Sequence, residues 1–504
     1  MKFLGIDIGT GGTRAVLLDA SGRVVSSATA AHAPFASLHA GWAEQDPSDW
    51  WNAVCNTIPE CLERGKTAAG EISGIGLTGQ MHGLVLLDQS GRVLRPSIIW
   101  CDQRTEVECR EITEKIGAAQ VLELTASPAL TNFTLPKIWW VQKNEPEIWA
   151  RVATILLPKD YIRLRLSGSR ATDVADASGT LLFDVAGRQW SRPMMEASRL
   201  NPDVLPKVFE SREISGHVSE EGARATGLRA GVPVVAGAGD QAAGAVGLGI
   251  VRPGAVSATI GTSGVVFAAT ASPVRDPAGR IHTFCHAVPQ RWHVMGVTQA
   301  AGYSLRWFRD QFGANGDPRL DDYARLMTEA SAAPAGADGL LWAPYLMGER
   351  TPYLDPNARG ALVGISSTHT RAHVIRAILE GVAFSLRDTL TIFAELKIPV
   401  ESIRLGGGGA RGDLWRQIQA DVYGMPVGLP EAEEGPAFGA ALLAGVGVGN
   451  WTSVENAADA SVRVSQQIEP GPQNVTLMNR RYREYRNLYP ALRDLQRNIR
   501  REIQ

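Results

Sequence analysis

The sequence predicts an α/β protein with two large domains. Short β-rich segments alternate with amphipathic helices, a pattern typical of mixed α/β architectures. The chain has 504 residues, which is more than one hydrophobic core usually organises. Residues 3–18 and 255–268 repeat one scheme: a strand, a turn containing glycine and threonine, and a second strand. These observations predict an internally duplicated fold whose two hairpins face each other across a cleft.

The first long helix can be placed from its two ends. Asp46 and Pro47 supply an N-cap and a first-turn proline, which both favour a helix start. Apolar side chains then recur every fourth residue until Gly65, so the sequence predicts an amphipathic helix that ends at this glycine. These apolar residues are Trp50, Val54, Ile58 and Leu62.

The domain boundary is expected near residues 247–254. This run is rich in glycine and proline, and a new strand begins directly after it. Such turn-forming residues between two regular elements are typical of a connection. The sequence therefore predicts a first domain of residues 1–249 and a second of residues 250–504.

Composition narrows the class of function. The formal net charge is −2, and acidic and basic residues are interspersed, which argues against nucleic-acid or anionic-membrane partners and favours small-molecule chemistry. Apolar runs are too short to span a bilayer, and the strand that begins at Met1 leaves no room for a signal peptide. The five cysteines are scattered and form no Cys-x-x-Cys pair, so we expect reduced thiols in a cytoplasmic protein.

Both hairpin tips suit phosphate binding. The first tip contains Thr10, Gly11 and Gly12, and the second contains Gly261 and Thr262. Glycine lets backbone N–H groups approach an anion, and threonine hydroxyls add donors. Either tip alone could be a tight turn, but two such tips favour a phosphate site. Asp7 precedes the first tip, where a carboxylate can hold Mg²⁺ directly or through water; an ordinary strand-end aspartate is the alternative.

Asp240 lies among small residues where an apolar strand turns into a helix. No lysine or arginine occurs between Arg229 and Arg252, so a local ion pair does not explain the carboxylate. Two interpretations remain open: a general base at the end of the strand, or an N-cap of the helix. One residue can fill both roles.

A third glycine cluster, Gly406 to Gly409, follows an apolar strand and precedes a helix. Close approach of backbone to a flat ring or a ribose requires residues without side chains. A flexible loop is the alternative, but the position between a strand and a helix favours the edge of a ligand site.

In this order, these motifs resemble the FGGY family of carbohydrate kinases over nearly the whole chain. The resemblance rests on the turns at Asp7, Asp240 and Gly261 and on the glycine cluster, with further similarity at residues 133–141 and 360–380. It implies an actin-like ATPase architecture, in which two ribonuclease-H-like domains surround a nucleotide cleft, and Mg²⁺-ATP as the phosphoryl donor. Residues 79–83, 99–104, 157–161, 284–293 and 348–352 resemble the branch of the family that phosphorylates D-xylulose.

The resemblance also implies a role for each candidate residue. Asp240 would be the catalytic base and Asp7 would lie near the metal. The sugar-binding residues would be Met81, His82, Trp100, Asp102 and Asp240. The ATP-binding residues would be Thr10, Gly11, Gly12, Arg14, Gly261, Thr262, Gly408, Gly409 and Asp413. The implied reaction is phosphorylation of a ketopentose, D-xylulose to D-xylulose 5-phosphate.

Rival functions remain. Gly237, Gly239 and Ala242 match the Gly-x-Gly-x-x-Ala pattern of dinucleotide-binding dehydrogenases, but the next strand ends at Ile260 without the acidic residue that binds ribose. A non-catalytic actin-like regulator would bind ATP without needing a base at Asp240. Within the kinase family, D-ribulose, L-ribulose, gluconate and glycerol are alternative acceptors. The residues leave open whether the chain forms a homodimer.

Overall fold

The computed structural model describes residues 1–313, 322–431 and 434–503. Two seven-stranded sheets form the framework, one from each half of the chain. Among the described residues, no helix has the length and apolar character needed to cross a membrane.

The first half builds the first sheet, several two-stranded ribbons and ten helices within the described residues. The strands are β1 (Lys2–Ile8), β2 (Gly12–Asp19), β3 (Val24–Ala31), β4 (Glu44–Gln45), β5 (Ile72–Gly79), β6 (Val85–Leu87), β7 (Ser97–Ile98), β8 (Thr154–Leu156), β9 (Ala171–Asp173), β10 (Phe183–Asp184), β11 (Gln189–Trp190), β12 (Lys207–Phe209), β13 (Ile214–His217), β14 (Pro233–Val235) and β15 (Ala238–Gly239). The helices are α1 (Pro47–Arg64), α2 (Glu106–Ile116), α3 (Ala118–Thr125), α4 (Thr134–Asn144), α5 (Pro146–Trp149), α6 (Pro158–Ser167), α7 (Val174–Ser178), α8 (Arg192–Ala197), α9 (Glu220–Thr226) and α10 (Asp240–Gly247).

The second half builds the second sheet and a larger share of long helices. Its strands are β16 (Gly254–Ile260), β17 (Gly264–Thr270), β18 (His282–Cys285), β19 (Trp292–Thr298), β20 (Leu341–Ala343), β21 (Ala361–Val363), β22 (Val400–Gly407), β23 (Val427–Pro430) and β24 (Val464–Ile468). Its helices are α11 (Gly302–Gln311), α12 (Tyr323–Ala330), α13 (Arg371–Glu395), α14 (Asp413–Tyr423), α15 (Gly435–Gly447), α16 (Val454–Ser461), α17 (Pro472–Arg486) and α18 (Leu488–Ile503).

Six strands of each sheet have the same order and relative directions. The first has the order β13-β14-β5-β1-β2-β3, and the second has the order β24-β23-β22-β16-β17-β19, with β18 added at its edge. In both, the third and fourth strands run parallel and the fourth and fifth form an antiparallel hairpin. The repeated hairpins expected from the sequence are therefore β1–β2 and β16–β17, at equivalent places in two equivalent sheets.

The ends of α1 confirm the prediction made from its caps. The Asp46 side chain accepts a hydrogen bond from the Ser48 backbone N–H (2.8 Å), Pro47 is the first residue of the helix and Gly65 follows its last residue.

At α10 the interpretation of Asp240 as the N-cap was wrong. Gly239 is the N-cap and Asp240 is the first helical residue, so the Asp240 carboxylate does not serve as the cap.

Helix α15, from the second half of the chain, packs on the first sheet. It contacts β1, β2, β5 and α10. The approach is close because two sheet residues facing it lack a side chain. A Cβ on Gly5 would lie 1.9 Å from the Ala437 carbonyl oxygen, and one on Gly76 would lie 1.9 Å from that of Ala440. Each half of the chain thus contributes to the core around the first sheet.

Candidate active site

Asp7 and Asp240 come to one edge of the first sheet because their strands are parallel to β5. Ile8 and Gly239 both pair with Gly79, the last residue of β5. The carboxyl ends of β1, β5 and β15 therefore meet at this edge, where ligands of open α/β sheets usually bind. Asp7 lies one residue before the end of its strand, and Asp240 lies directly after the end of its strand.

Both carboxyl groups have raised pKa values. Burial raises the pKa of Asp240 to about 6, opposed by hydrogen bonds from Gln241. Burial also raises the pKa of Asp7 to about 7; the negative charge of Asp240 adds to the rise, and Arg14 opposes it. Oδ1 of Asp7 is buried and has no hydrogen-bond partner among the described residues. The edge thus holds two interacting carboxyl groups that titrate near neutral pH.

Met81 and His82 lie beside this edge, in the loop between β5 and β6. A Cβ on Gly239 would lie 2.7 Å from Met81 Cγ, and one on Gly179 would lie 2.7 Å from His82 Nδ1. Both side chains are mostly buried, with 4% and 8% of their surface exposed. Met81 therefore packs directly against the residue that precedes Asp240, and the His82 ring packs against Gly179.

The hydrogen bonding of His82 fixes the tautomer of its ring. Nδ1 lies 2.6 Å from the Gly179 carbonyl oxygen, an acceptor, so Nδ1 carries the proton. Burial lowers the pKa of His82 to about 3, and the neutral ring keeps Nε2 as an acceptor. Nε2 has no partner among the described residues, and it can accept a hydrogen bond from a hydroxyl group.

Trp100 and Thr10 link the predicted sugar site to the first hairpin. The Trp100 indole N–H donates to Thr10 Oγ1 (2.8 Å), and that hydroxyl donates to Gln80 Oε1 (3.2 Å). Gln80 directly follows β5 and donates in turn to Gln45 (2.8 Å). The chain of hydrogen bonds runs from the hairpin tip to the end of β5, so it fixes Trp100 relative to Asp7 and Asp240.

Asp102 is fully buried, and partners within the protein occupy its carboxylate. The Arg104 guanidinium donates to both oxygens (2.7 to 3.0 Å), and the Ala43 N–H donates to Oδ2 (2.6 Å). The Arg104 guanidinium also stacks 3.6 Å over the Trp42 ring. This arrangement fixes the loop that carries Trp100, and it leaves both Asp102 oxygens bonded to protein donors.

The second hairpin and the glycine cluster lie side by side. Ile260, at the end of β16, pairs with Gly407 of β22, and Gly409 packs on the Ile260 side chain. The carbonyl oxygens of Gly261 and Thr262 accept hydrogen bonds from the first N–H groups of α11 (2.9 and 3.1 Å). Gly408 follows β22 directly. The tip and the cluster thus form one glycine-rich edge of the second sheet, equivalent to the edge that carries Asp7.

Three of the predicted ATP-binding side chains already have protein partners: Thr10, which bonds to Trp100 and Gln80, Arg14 and Asp413. Arg14 donates to the carboxylate of Glu434, the residue before α15. Asp413, the first residue of α14, pairs with Arg416 (2.7 Å), and its side chain is 95% exposed. Gly11 is exposed and has open space around it. Gly12 is the first residue of β2 and, as a glycine, has no side chain.

Arg350 is a candidate that sequence patterns did not single out. Its guanidinium has no hydrogen bond or ion pair among the described residues, and its charge helps to lower the pKa of both His82 and His282. Burial lowers the pKa of Arg350 to about 10. The second half of the chain therefore directs an unpaired positive charge toward His82 and His282. Residues 348–352 lie in one of the segments that resemble the family, but that resemblance assigned no role to Arg350, and no periodicity or glycine motif there indicates one.

Known proteins resemble the chain over almost its whole length. Residues 2–247 match the model of the N-terminal domain of the FGGY family of carbohydrate kinases, and residues 256–448 match that of the C-terminal domain. The xylulose kinase of Bacillus subtilis (strain 168) is 40% identical over 98% of both chains. That of Escherichia coli (strain K12) is 38% identical over 97% of this chain and 99% of its own. The crystal structure of xylulose kinase from Rhodospirillum rubrum superposes with a TM-score of 0.90 at 32% identity, covering 99% of this chain and 100% of that one. The actin-like two-domain fold predicted from the sequence is confirmed.

Proposed function

The chain belongs to the FGGY family of carbohydrate kinases and is an ATP-dependent sugar kinase, and we propose that its acceptor is D-xylulose. The product is D-xylulose 5-phosphate. One observation carries the proposal: a buried carboxyl group with a pKa of about 6, Asp240, directly follows Gly239, which packs against Met81, and the neutral His82 is the next residue after Met81. The similarity to xylulose kinases over almost the full chain supports the choice of sugar.

Asp240 is the general base of the proposed reaction. A sugar hydroxyl is a poor nucleophile at neutral pH, so a carboxylate within hydrogen-bond reach accepts its proton as the oxygen attacks the γ-phosphorus. The bond between the γ-phosphorus and the ADP oxygen breaks, and the proton of the C5 hydroxyl ends on Asp240. A pKa near 6 keeps most of the carboxylate ionised at neutral pH and leaves it more basic than an ordinary aspartate.

In this proposal the sugar contacts come from His82, Met81 and Trp100. His82 Nε2 accepts a hydrogen bond from a sugar hydroxyl, and Met81 supplies an apolar wall. A buried acceptor left unpaired by the wrong epimer penalises that epimer, which is the physical basis of selection among ketoses. Trp100 closes the side toward the hairpin. Asp102 acts through Arg104 by positioning the Trp100 loop, because its own oxygens are occupied.

ATP binds between the two glycine-rich edges in this proposal. Backbone N–H groups and hydroxyls of the first tip (Thr10, Gly11, Gly12) and of the second tip (Gly261, Thr262) would surround the phosphates, with Arg14 as the cation. Gly408 and Gly409 would lie against the adenosine, and Asp413 would begin the helix beyond them. The boundary between residues 249 and 250 then separates two domains that close on the nucleotide and exclude water.

Asp7 is the candidate ligand for Mg²⁺. Its buried Oδ1 lacks a protein partner, and a carboxylate oxygen at the end of a strand beside a phosphate site is a donor that this ion accepts. A bound cation would also favour the ionised form of a carboxyl whose pKa is about 7. Mg²⁺ neutralises charge on the phosphate oxygens when bound.

We propose that the protein acts in the cytoplasm, because its scattered cysteines are expected to be reduced thiols.

A panel of acceptors tests the proposal. ADP release is measured at saturating Mg²⁺-ATP with D-xylulose, D-ribulose, L-ribulose, gluconate and glycerol in separate assays. D-Xylulose should give the highest kcat/KM, and NMR of the product should place the phosphate on C5. A higher kcat/KM for any of the other four would refute D-xylulose as the substrate and leave the sugar-kinase assignment standing.

A further inference from the structure

His82 has a backbone conformation that must be held in place. Its φ is +68°, in the left-handed region that residues other than glycine rarely adopt. Such conformations persist at functional sites only where the surrounding structure imposes them. The carbonyl oxygen of His82 accepts two hydrogen bonds from helix α4, one from Lys137 Nζ (2.8 Å) and one from Thr134 Oγ1 (3.2 Å).

The burial of Lys137 is unusual for a lysine. Its side chain is 0% exposed, and Nζ also donates to the Asn132 carbonyl oxygen (2.8 Å). Within the described part of the chain it forms no ion pair with a carboxylate. A buried ammonium group held only by carbonyl oxygens is costly, and a methionine or leucine would fill the same volume at lower cost. Packing alone therefore does not account for a lysine here.

We infer that Lys137 is a positioning residue for the sugar site: its ammonium group holds the His82 carbonyl, so that the imidazole keeps Nε2 available to the acceptor sugar. Lys137 touches neither the sugar nor ATP and acts only through His82. The inference rests on the proposed role of His82. The histidine is then held from two sides, by Lys137 and Thr134 at its carbonyl oxygen and by Gly179 at its Nδ1.

The charges around Lys137 give this role a pH dependence. Burial is the largest influence and lowers the pKa of Lys137 to about 7; Arg104 adds to the lowering, whereas Asp102, Cys101 and Cys109 oppose it. A lysine with a lowered pKa loses its charge as the pH rises through that value. The ammonium-to-carbonyl bond is therefore strongest below pH 7. The KM for the sugar should rise between pH 7 and about pH 9, and the KM for ATP should not follow it.

A double-mutant cycle tests the inference on the full-length enzyme. Lys137→Met removes the ammonium group at similar volume. His82→Gly removes the imidazole and relieves the positive φ, but it keeps the carbonyl oxygen. Lys137→Met alone should raise the sugar KM by about tenfold or more, as expected for loss of a charged hydrogen bond. The same change in the His82→Gly background should have little further effect, because no imidazole remains to be positioned.

Lys143→Met is the matched control. Lys143 lies on the same helix, is 43% exposed and pairs with Glu111, so its removal should leave both KM values unchanged. An equal rise in sugar KM in both backgrounds, or an equal rise in the KM for ATP, would overturn the inference. Should Lys137→Met fail to fold, the pH profile of the wild type and of Lys137→Arg decides. A wild-type sugar KM that stays flat from pH 6.5 to about 9 would also overturn it.

The cycle and the acceptor panel fail in distinguishable ways. The panel identifies the best acceptor, and the cycle is run with that acceptor. If another sugar is preferred over D-xylulose, the proposed substrate is wrong. The double-mutant cycle, run with that sugar, still tests whether Lys137 positions His82. Additive effects in the cycle would reject Lys137 as a positioning residue and leave the substrate assignment to the panel.

Discussion

Arg14 and Glu434 form an ion pair although 420 positions separate them in the chain. Arg14 lies on β2 beside the first hairpin tip, and Glu434 directly precedes α15. The guanidinium expected to meet the ATP phosphates is thus bonded to a carboxylate in this structure. Phosphate binding at Arg14 must either displace Glu434 or share the guanidinium with it.

Glu434→Gln should strengthen ATP binding. The two side chains are 37% and 20% exposed, and partly exposed ion pairs contribute roughly 0 to 1 kcal/mol. The Kd for ATP measured by calorimetry without sugar should therefore fall by up to about fivefold. Glu455→Gln on α16 removes the same charge away from Arg14 and should leave the Kd unchanged. A weaker affinity in Glu434→Gln would mean that the carboxylate supports the nucleotide site.

Asp240→Asn should abolish most of the turnover. The amide keeps the shape of the side chain but accepts no proton from the sugar, and loss of a general base costs roughly 10² to 10⁴ in rate. Calorimetry should show that ATP binding survives. Sugar phosphorylation near the wild-type rate would remove Asp240 from the role of base.

The pH profile of kcat/KM should have an acidic limb near pH 6. The base must be ionised, and burial raises the pKa of Asp240 to about 6, so activity should fall as the pH drops below that value. Since Asp7 and Asp240 interact, the limb reports the pair and not one residue alone. Steady-state assays in buffers of constant ionic strength test this. Activity that stays level down to pH 4.5 would contradict it, since an ordinary aspartate titrates at about 4.

The two hairpin tips should each affect ATP binding. Gly11→Val and Gly261→Val place a side chain at an open tip, because no atom crowds a Cβ at Gly11 and only Ser263 O, at 3.7 Å, lies near one at Gly261. Either variant should raise the Kd for ATP by about tenfold or more, the expected effect of losing a charge-assisted hydrogen bond to phosphate. Gly264 is unsuitable for this test, since a Cβ there would lie 2.7 Å from Thr298 Cγ2. Unchanged affinity in both variants would make the tips structural turns only.

Gly76→Ala should destabilise the fold. The new methyl group would lie 1.9 Å from the Ala440 carbonyl oxygen, so α15 would have to move away from the sheet, at a cost of about 1 to 3 kcal/mol or more. Gly70→Ala is the control, because nothing lies within 4 Å of its Cβ. Urea unfolding should show a lower midpoint for Gly76→Ala alone. Equal midpoints would show that the helix adjusts without cost.

Local signals in the sequence predicted much of this structure. The hairpins, the ends of α1 and the strand-to-helix turn at Asp240 depend on neighbouring residues, so glycine, proline and apolar spacing reveal them. The contact between Lys137 and His82 joins residues 55 positions apart, and no periodicity encodes such a pairing. The hydrogen bonds of Asp102 could not be predicted from the sequence either. Its motif indicated a polar residue near the sugar, but the bonds to Arg104 that occupy its oxygens appear only in the folded chain.

The packing of α15 on the first sheet has a consequence for synthesis on the ribosome. Gly5 and Gly76 are synthesised long before Ala437 and Ala440, which cover them. The nascent first half therefore exposes an apolar sheet face until α15 is made. We expect residues 1–249 released alone to aggregate or to need a chaperone. Adding a separate peptide of residues 434–462 should partly restore the solubility of residues 1–249.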